Sequence, residues 1–178
     1  MSKKTESSND STIFNESILE KKITIPFQMV GSNLKQLLEN KLSKKYEDKC
    51  IEEGFVKKNT IQVINYSGGE IFGNDITFDV IFSCDICLPV ENMIITGEVQ
   101  NITKAGIKAQ LHNYEKSPLV IFISRDHHYD DATFSNIAEN DIISVKIIGH
   151  RFELYDSYIS VIAELRNKIN LTQKHKKK

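Results

Sequence analysis

The sequence predicts an α+β chain: a one-helix domain of antiparallel strands, then a closed five-stranded barrel. Three observations lead there. A single stretch, Leu34 to Tyr46, has helical spacing and lies between alternating strands. A long strand, Ile76 to Leu88, stops at Pro89. Beyond it, short apolar runs recur at regular spacing as far as Leu165.

Residues 1–12 are Lys, Ser, Asn, Asp and Thr with little to bury, and are expected to be disordered. Ile13, Phe14 and Ile18 mark a short strand. A clearer one follows in Lys22–Phe27, where Ile23, Ile25 and Phe27 alternate with polar neighbours. Pro26 places that strand at an edge or at its end. Ser32 is the expected N-cap of the helix, whose Leu34, Leu37, Leu38, Leu42 and Tyr46 share a face. Lys44, Lys45 and Lys49 suit the C-terminal end of its dipole and read as a solvated face rather than a nucleic-acid patch. Thr60–Tyr66 alternates as a strand, and Ser67–Asp75 is a glycine-rich connection with Ile71 and Phe72 at its tip.

The first domain is expected over residues 13–90 and the barrel over residues 91–165. The barrel strands are expected at Asn92–Thr103, Gly106–His112, Leu119–Ser124, Asp141–His150 and Tyr158–Leu165. Their longest link, Arg125–Asn140, falls between the third and fourth, the arrangement of an OB fold. Residues 166–178 are too polar to pack and are expected to be a flexible tail.

Charge is unevenly spread. The net charge is −1, with 23 basic and 24 acidic residues, yet Arg166 to Lys178 carries six bases (Arg166, Lys168, Lys174, Lys176, Lys177, Lys178) and no acid. Residues 1–165 therefore hold 23 − 6 = 17 basic against 24 acidic side chains, a net of −7. Residues 91–165 alone have six basic and eleven acidic side chains. An acidic body is a poor phosphate binder. The basic tail, with Lys174, Lys176, Lys177 and Lys178, is expected to add salt-sensitive, sequence-independent affinity for RNA or DNA, the alternative being a solubilising tail with no ligand.

Chemistry-bearing residues are present but badly placed for catalysis. Cys84 and Cys87 form a CxxC inside a strand, where residues three apart point to opposite faces, and the remaining cysteine, Cys50, has no CxxC of its own. They read as buried small hydrophobes. Three cysteines make no disulfide framework, so the chain is expected to be intracellular and reduced. Asp126-His127-His128-Tyr129-Asp130-Asp131 offers ligand types in one run, but in the longest barrel loop, and reads as solvated. Ser124 lacks a GxSxG elbow, and Gly68, Gly69 and Gly73 match no phosphate-binding loop. No enzyme activity, metal, cofactor or membrane partner is expected.

Two stretches carry a resemblance. Ile95–Leu111, with Gly97 and Gly106, and Ile121-Phe122-Ile123-Ser124 resemble the opening strands of an OB barrel of the ribosomal protein S-one type. The order of strand, helix, alternating strand, glycine-rich loop, long strand and barrel resembles a stalk subunit of multisubunit RNA polymerases. Subunit seven of eukaryotic RNA polymerase II and its archaeal counterpart are of this kind. The resemblance covers Ile13 to Leu165.

It implies a non-catalytic subunit whose N-terminal domain docks on core polymerase subunits near the base of the clamp. Phe27, Gly31, Gly68, Gly69, Ile71, Phe72 and Gly73 would form the docking tip. The barrel would project towards nascent single-stranded RNA, beside a stalk partner subunit. RNA-binding barrels of this kind place base-stacking aromatics on the second and third strands; here Lys108 stands at one such position and Phe122 at or near another. The alternative is a free OB-fold RNA-binding protein of translation or RNA decay; the acidic barrel favours the polymerase. The heavy use of Ile, Lys and Asn fits an AT-rich genome, such as that of a large DNA virus encoding its own polymerase.

Overall fold

A computed structural model describes residues 13–114, 116–128 and 132–169. The chain divides between Leu88 and Pro89 into two compact units.

The first unit is organised around one strand. β6 (Asp75–Cys87) pairs along its whole length with β1 (Phe14–Pro26), from Phe14 opposite Cys87 to Pro26 opposite Asp75. Its other edge is shared by three short strands in series. β5 (Glu70–Phe72) lies against residues 75–77, β4 (Gln62–Tyr66) against 80–83, and β3 (Gly54–Val56) against Ile86 and Cys87. β2 (Cys50–Ile51) pairs with β3.

The even-numbered residues of β6, from Ile76 to Ile86, all face the core, as period-2 alternation dictates. Ile23 and Ile25 of β1 join them, and α1 (Leu34–Tyr46) lays Leu38, Leu42 and Tyr46 over the same face. Leu38 and Leu42 are fully buried, so each contributes roughly 1.5–3 kcal/mol of transfer free energy. The Tyr46 ring stacks parallel to Phe82 at 6.5 Å.

Several elements differ from the sequence expectation. The two expected strands before the helix are one, because β6 offers an unbroken ladder and an edge strand tolerates the polar stretch Glu20-Lys21-Lys22. Lys21 pairs with Glu53 at 2.9 Å, tying β1 to the β2–β3 turn. Asn33, not Ser32, precedes the helix, and no side chain caps it. β2 and β3, two and three residues long, lie where the sequence predicts no strand. Ser67–Asp75 is partly a strand, β5, not wholly a connection.

The second unit is a closed barrel in the order β10-β11-β9-β8-β7. Its strands are β7 (Ile94–Ile102), β8 (Gly106–Leu111), β9 (Leu119–Ser124), β10 (Ile142–Arg151) and β11 (Ile159–Ile169). All neighbours are antiparallel except β9 and β11, which run parallel with Ile159 opposite Leu119. Ile107, Leu111, Leu119, Ile121, Ile123, Ile143, Ile147 and Ile159 fill the interior.

Two barrel expectations need correction. β11 does not end at Leu165 but continues through Arg166 to Ile169, because Ile142 pairs with Ile169 and Lys168 bonds Asp141. Residues 166–169 of the expected tail are thus barrel. The link after β9 is not simply solvated either. It contains a 3-10 turn (Arg125–His128) and a helical turn, α2 (Ala132–Ser135), and it buries His128, Phe134 and Ile137.

Candidate docking tip and barrel surface

The expected tip residues converge at one end of the first unit's sheet. Strand β1 ends at Pro26 beside Asp75, and Asp75 pairs on its other side with Phe72. The Phe27 N–H donates to the Asn74 carbonyl at 2.8 Å, fixing the 3-10 turn Phe27–Met29 against the β5–β6 turn. Phe27, Ile71 and Phe72 are 56%, 67% and 68% exposed. They do not fold back into the core. Met29, 57% exposed at the same place, was not singled out in the sequence. Its apolar side chain next to Phe27 and Gly31 was the available signal.

Two glycines make this tip possible. Gly73 opens the two-residue β5–β6 turn with φ +59°, the left-handed conformation that primed hairpin turns require. Gly69 has φ +79°, and a Cβ there would lie 2.6 Å from Ile76 Cγ2 and 2.7 Å from Phe78 Cε1. Glycine alone fits. Gly31 and Gly68 meet no such constraint, since a Cβ at either has nothing within 4 Å.

On the barrel, Lys108 and Phe122 are direct cross-strand partners of β8 and β9, and Phe122 is level with Ile162 of β11. The three form an outward row, with Phe122 38% and Ile162 50% exposed. Gly106 lets β8 start close to β9, because a Cβ would lie 2.2 Å from the Ile123 carbonyl oxygen. Arg125 secures the neighbouring β7–β8 turn: its Nε donates to the Lys104 carbonyl and its backbone N–H to that of Ala105, both at 3.0 Å. Lys174, Lys176, Lys177 and Lys178 lie outside the described residues.

The cysteines and histidines have structural surroundings. Cys84 and Cys87 are buried, and burial pushes their thiols up to about 11 and about 12. Neither is a ready thiolate. His128 was expected in a solvated loop, but it bridges two strands. Its Nε2 accepts the Leu165 N–H at 2.9 Å, which leaves Nδ1 to donate to the Ser124 carbonyl at 3.0 Å. Phe134 stacks on its ring at 5.1 Å. Among the described residues, no three or more His, Cys, Asp or Glu side chains gather as metal ligands, and no helix is long and apolar enough to cross a membrane.

No family model matches the chain. It is 31% identical over 171 residues to a protein of Acanthamoeba polyphaga mimivirus described as a proposed DNA-directed RNA polymerase subunit. The match covers 86% of this chain and 82% of that protein. With identity at this level over most of both chains, the chain belongs to the same family of DNA-directed RNA polymerase subunits.

Proposed function

We propose that the chain is a non-catalytic stalk subunit of a DNA-directed RNA polymerase, acting in transcription. Its first unit docks on the core near the clamp, and its barrel, of the OB type, reaches towards nascent RNA. The observation that carries this reading is that Phe27, Met29, Ile71 and Phe72, four large apolar side chains, are all exposed at one end of the first unit's sheet. Such side chains at a tip are costly in water and become anchors when a partner buries them, each worth roughly 1.5–3 kcal/mol. The strand order, with β9 parallel to β11, supports the OB reading of the barrel. Partnership with other polymerase subunits follows from the family, and the site of action is wherever that polymerase works.

The test is the double substitution Ile71→Asp with Phe72→Asp. Both side chains are already exposed, so circular dichroism of the free protein should not change. Co-purification with the large polymerase subunits should be lost. A folded variant that co-purifies at the parental yield removes this tip from the interface.

A further inference from the structure

The hairpin that joins β10 to β11 carries a feature unlike any other turn among the described residues. Six non-glycine residues have positive φ, and five are Asp or Asn (Asp48, Asn59, Asn92, Asn113 and Asn140), which tolerate that conformation. The sixth is Tyr155, at φ +69°. It is the third residue of the turn Glu153-Leu154-Tyr155-Asp156, closed by the Asp156 N–H donating to the Glu153 carbonyl at 3.2 Å. Positive φ at that position is type II geometry, which selects Gly or Asn. An aromatic ring there is strained.

The surroundings hold the strain in place. The Asp156 carboxylate accepts the Glu153 N–H at 2.8 Å, Arg151 pairs with Glu153 at 3.3 Å, and Phe152 stacks on His150 at 6.0 Å. The result is a hydrogen-bonded turn that presents Leu154 and Tyr155, each 55% exposed, with Tyr158 three residues on at 44%. Folding gains nothing from aiming these side chains into water. Strained backbone that displays apolar groups is a mark of a site kept for contact.

We infer that the Leu154–Tyr155 turn is a protein-docking tip of the barrel, taken by an apolar pocket with a cationic rim on another subunit of the polymerase. The inference rests on the chain being a polymerase subunit. A protein is favoured over RNA by charge. The turn holds Glu153 and Asp156, its one cation, Arg151, is already paired with Glu153, and residues 91–165 carry eleven acids against six bases. Base stacking needs a positive groove to gather phosphates, whereas an anionic rim suits Lys and Arg side chains of a protein.

The experiment places a photocrosslinker at the turn, Tyr155→p-benzoylphenylalanine, in the full chain assembled into its polymerase and irradiated during transcription. The expected product is a crosslink to one protein subunit, at a peptide containing both apolar and basic residues. Adding Leu154→Asp should cut its yield at least about tenfold, as loss of a buried anchor does. A crosslink to RNA alone, or none while the chain stays bound to the polymerase, overturns the inference. A chain that never enters the polymerase overturns the stalk reading instead, which retention reports separately. As a control on folding, Tyr155→Gly should melt no lower than the parent protein. A lower melting temperature would mean that Tyr155 serves the barrel itself, and would overturn the docking role.

Discussion

Gly69 illustrates how much a single position without a side chain can decide. With a left-handed backbone and Ile76 and Phe78 pressed against it, any Cβ must displace the first unit's core. Gly69→Ala should cost about 2 kcal/mol or more, read from the urea midpoint, combining φ strain with overpacking. Gly68→Ala, one residue earlier with nothing within 4 Å, is the matched control. At His128, replacement by Leu keeps the bulk but strands the Leu165 N–H without its acceptor, which should cost about 1–3 kcal/mol. The thiols give a sharper test. With its thiol pushed up to about 11, Cys84 is thiolate in only about a thousandth of molecules at pH 8. Disulfide reagents at pH 8 should therefore leave Cys84 and Cys87 unmodified in the native protein and modify them after unfolding.

Among the elements, β11 shows where sequence reading stops short. Ile159, Val161, Ala163 and Leu165 alternate inward with exposed neighbours, and this period-2 signal was legible. It lapses at Arg166-Asn167-Lys168, yet the strand goes on, because ladder bonds to β10 need backbone, not apolar side chains. Lys168 also bonds the Asp141 carboxylate, and with the Ala138 N–H it holds that carboxyl below its ordinary value. A carboxyl whose folded pKa is lowered adds stability above its unfolded value, and loses it as pH falls through the folded one. The contribution is thus present at neutral pH and fades as pH falls below about 4. Since the pair is partly exposed, it should be worth only about 0.2–1 kcal/mol. Asp141→Asn should lower stability by that amount at pH 7, and the difference should shrink as pH falls below about 4, as measured by urea denaturation across that range. β2 and β3 were invisible for another reason: short strands are too brief to show a period, and they exist because β6 has ladder positions left at Ile86 and Cys87.

For the molecule as a whole, the division into a one-helix sheet and a closed barrel was written in the sequence, since long-range order there follows apolar periodicity and Pro89. The tip was partly legible. Ile71 and Phe72 stood out as large apolar residues between Gly69 and Gly73, whereas Met29 joins them through a tertiary bond, Phe27 N–H to Asn74, that no local pattern announces. The His128 bridge was hidden for the same reason. Charge sets the outlook for the barrel. If the row Lys108, Phe122 and Ile162 touches RNA, stacking on Phe122 must supply most of the affinity, about 1–3 kcal/mol per base. Phe122→Ala should then weaken single-stranded RNA binding about tenfold at low salt, by fluorescence anisotropy, and unchanged binding would remove this face.

The central place of β6 also fixes the order in which the first unit can be made. Every residue of β1 finds its partner at Asp75 or later, so during synthesis the first strand leaves the ribosome long before its complement exists. Until then its apolar residues Ile23 and Ile25 and its whole ladder of amides are open to wrong partners, a hazard that rises with sequence separation. The charges at Glu16, Glu20, Lys21 and Lys22 interrupt any long apolar stretch and guard the waiting strand. Ribosome-stalled chains that display residues 13–74 should remain sensitive to protease throughout β1, and those that also display residues 75–87 should become resistant there.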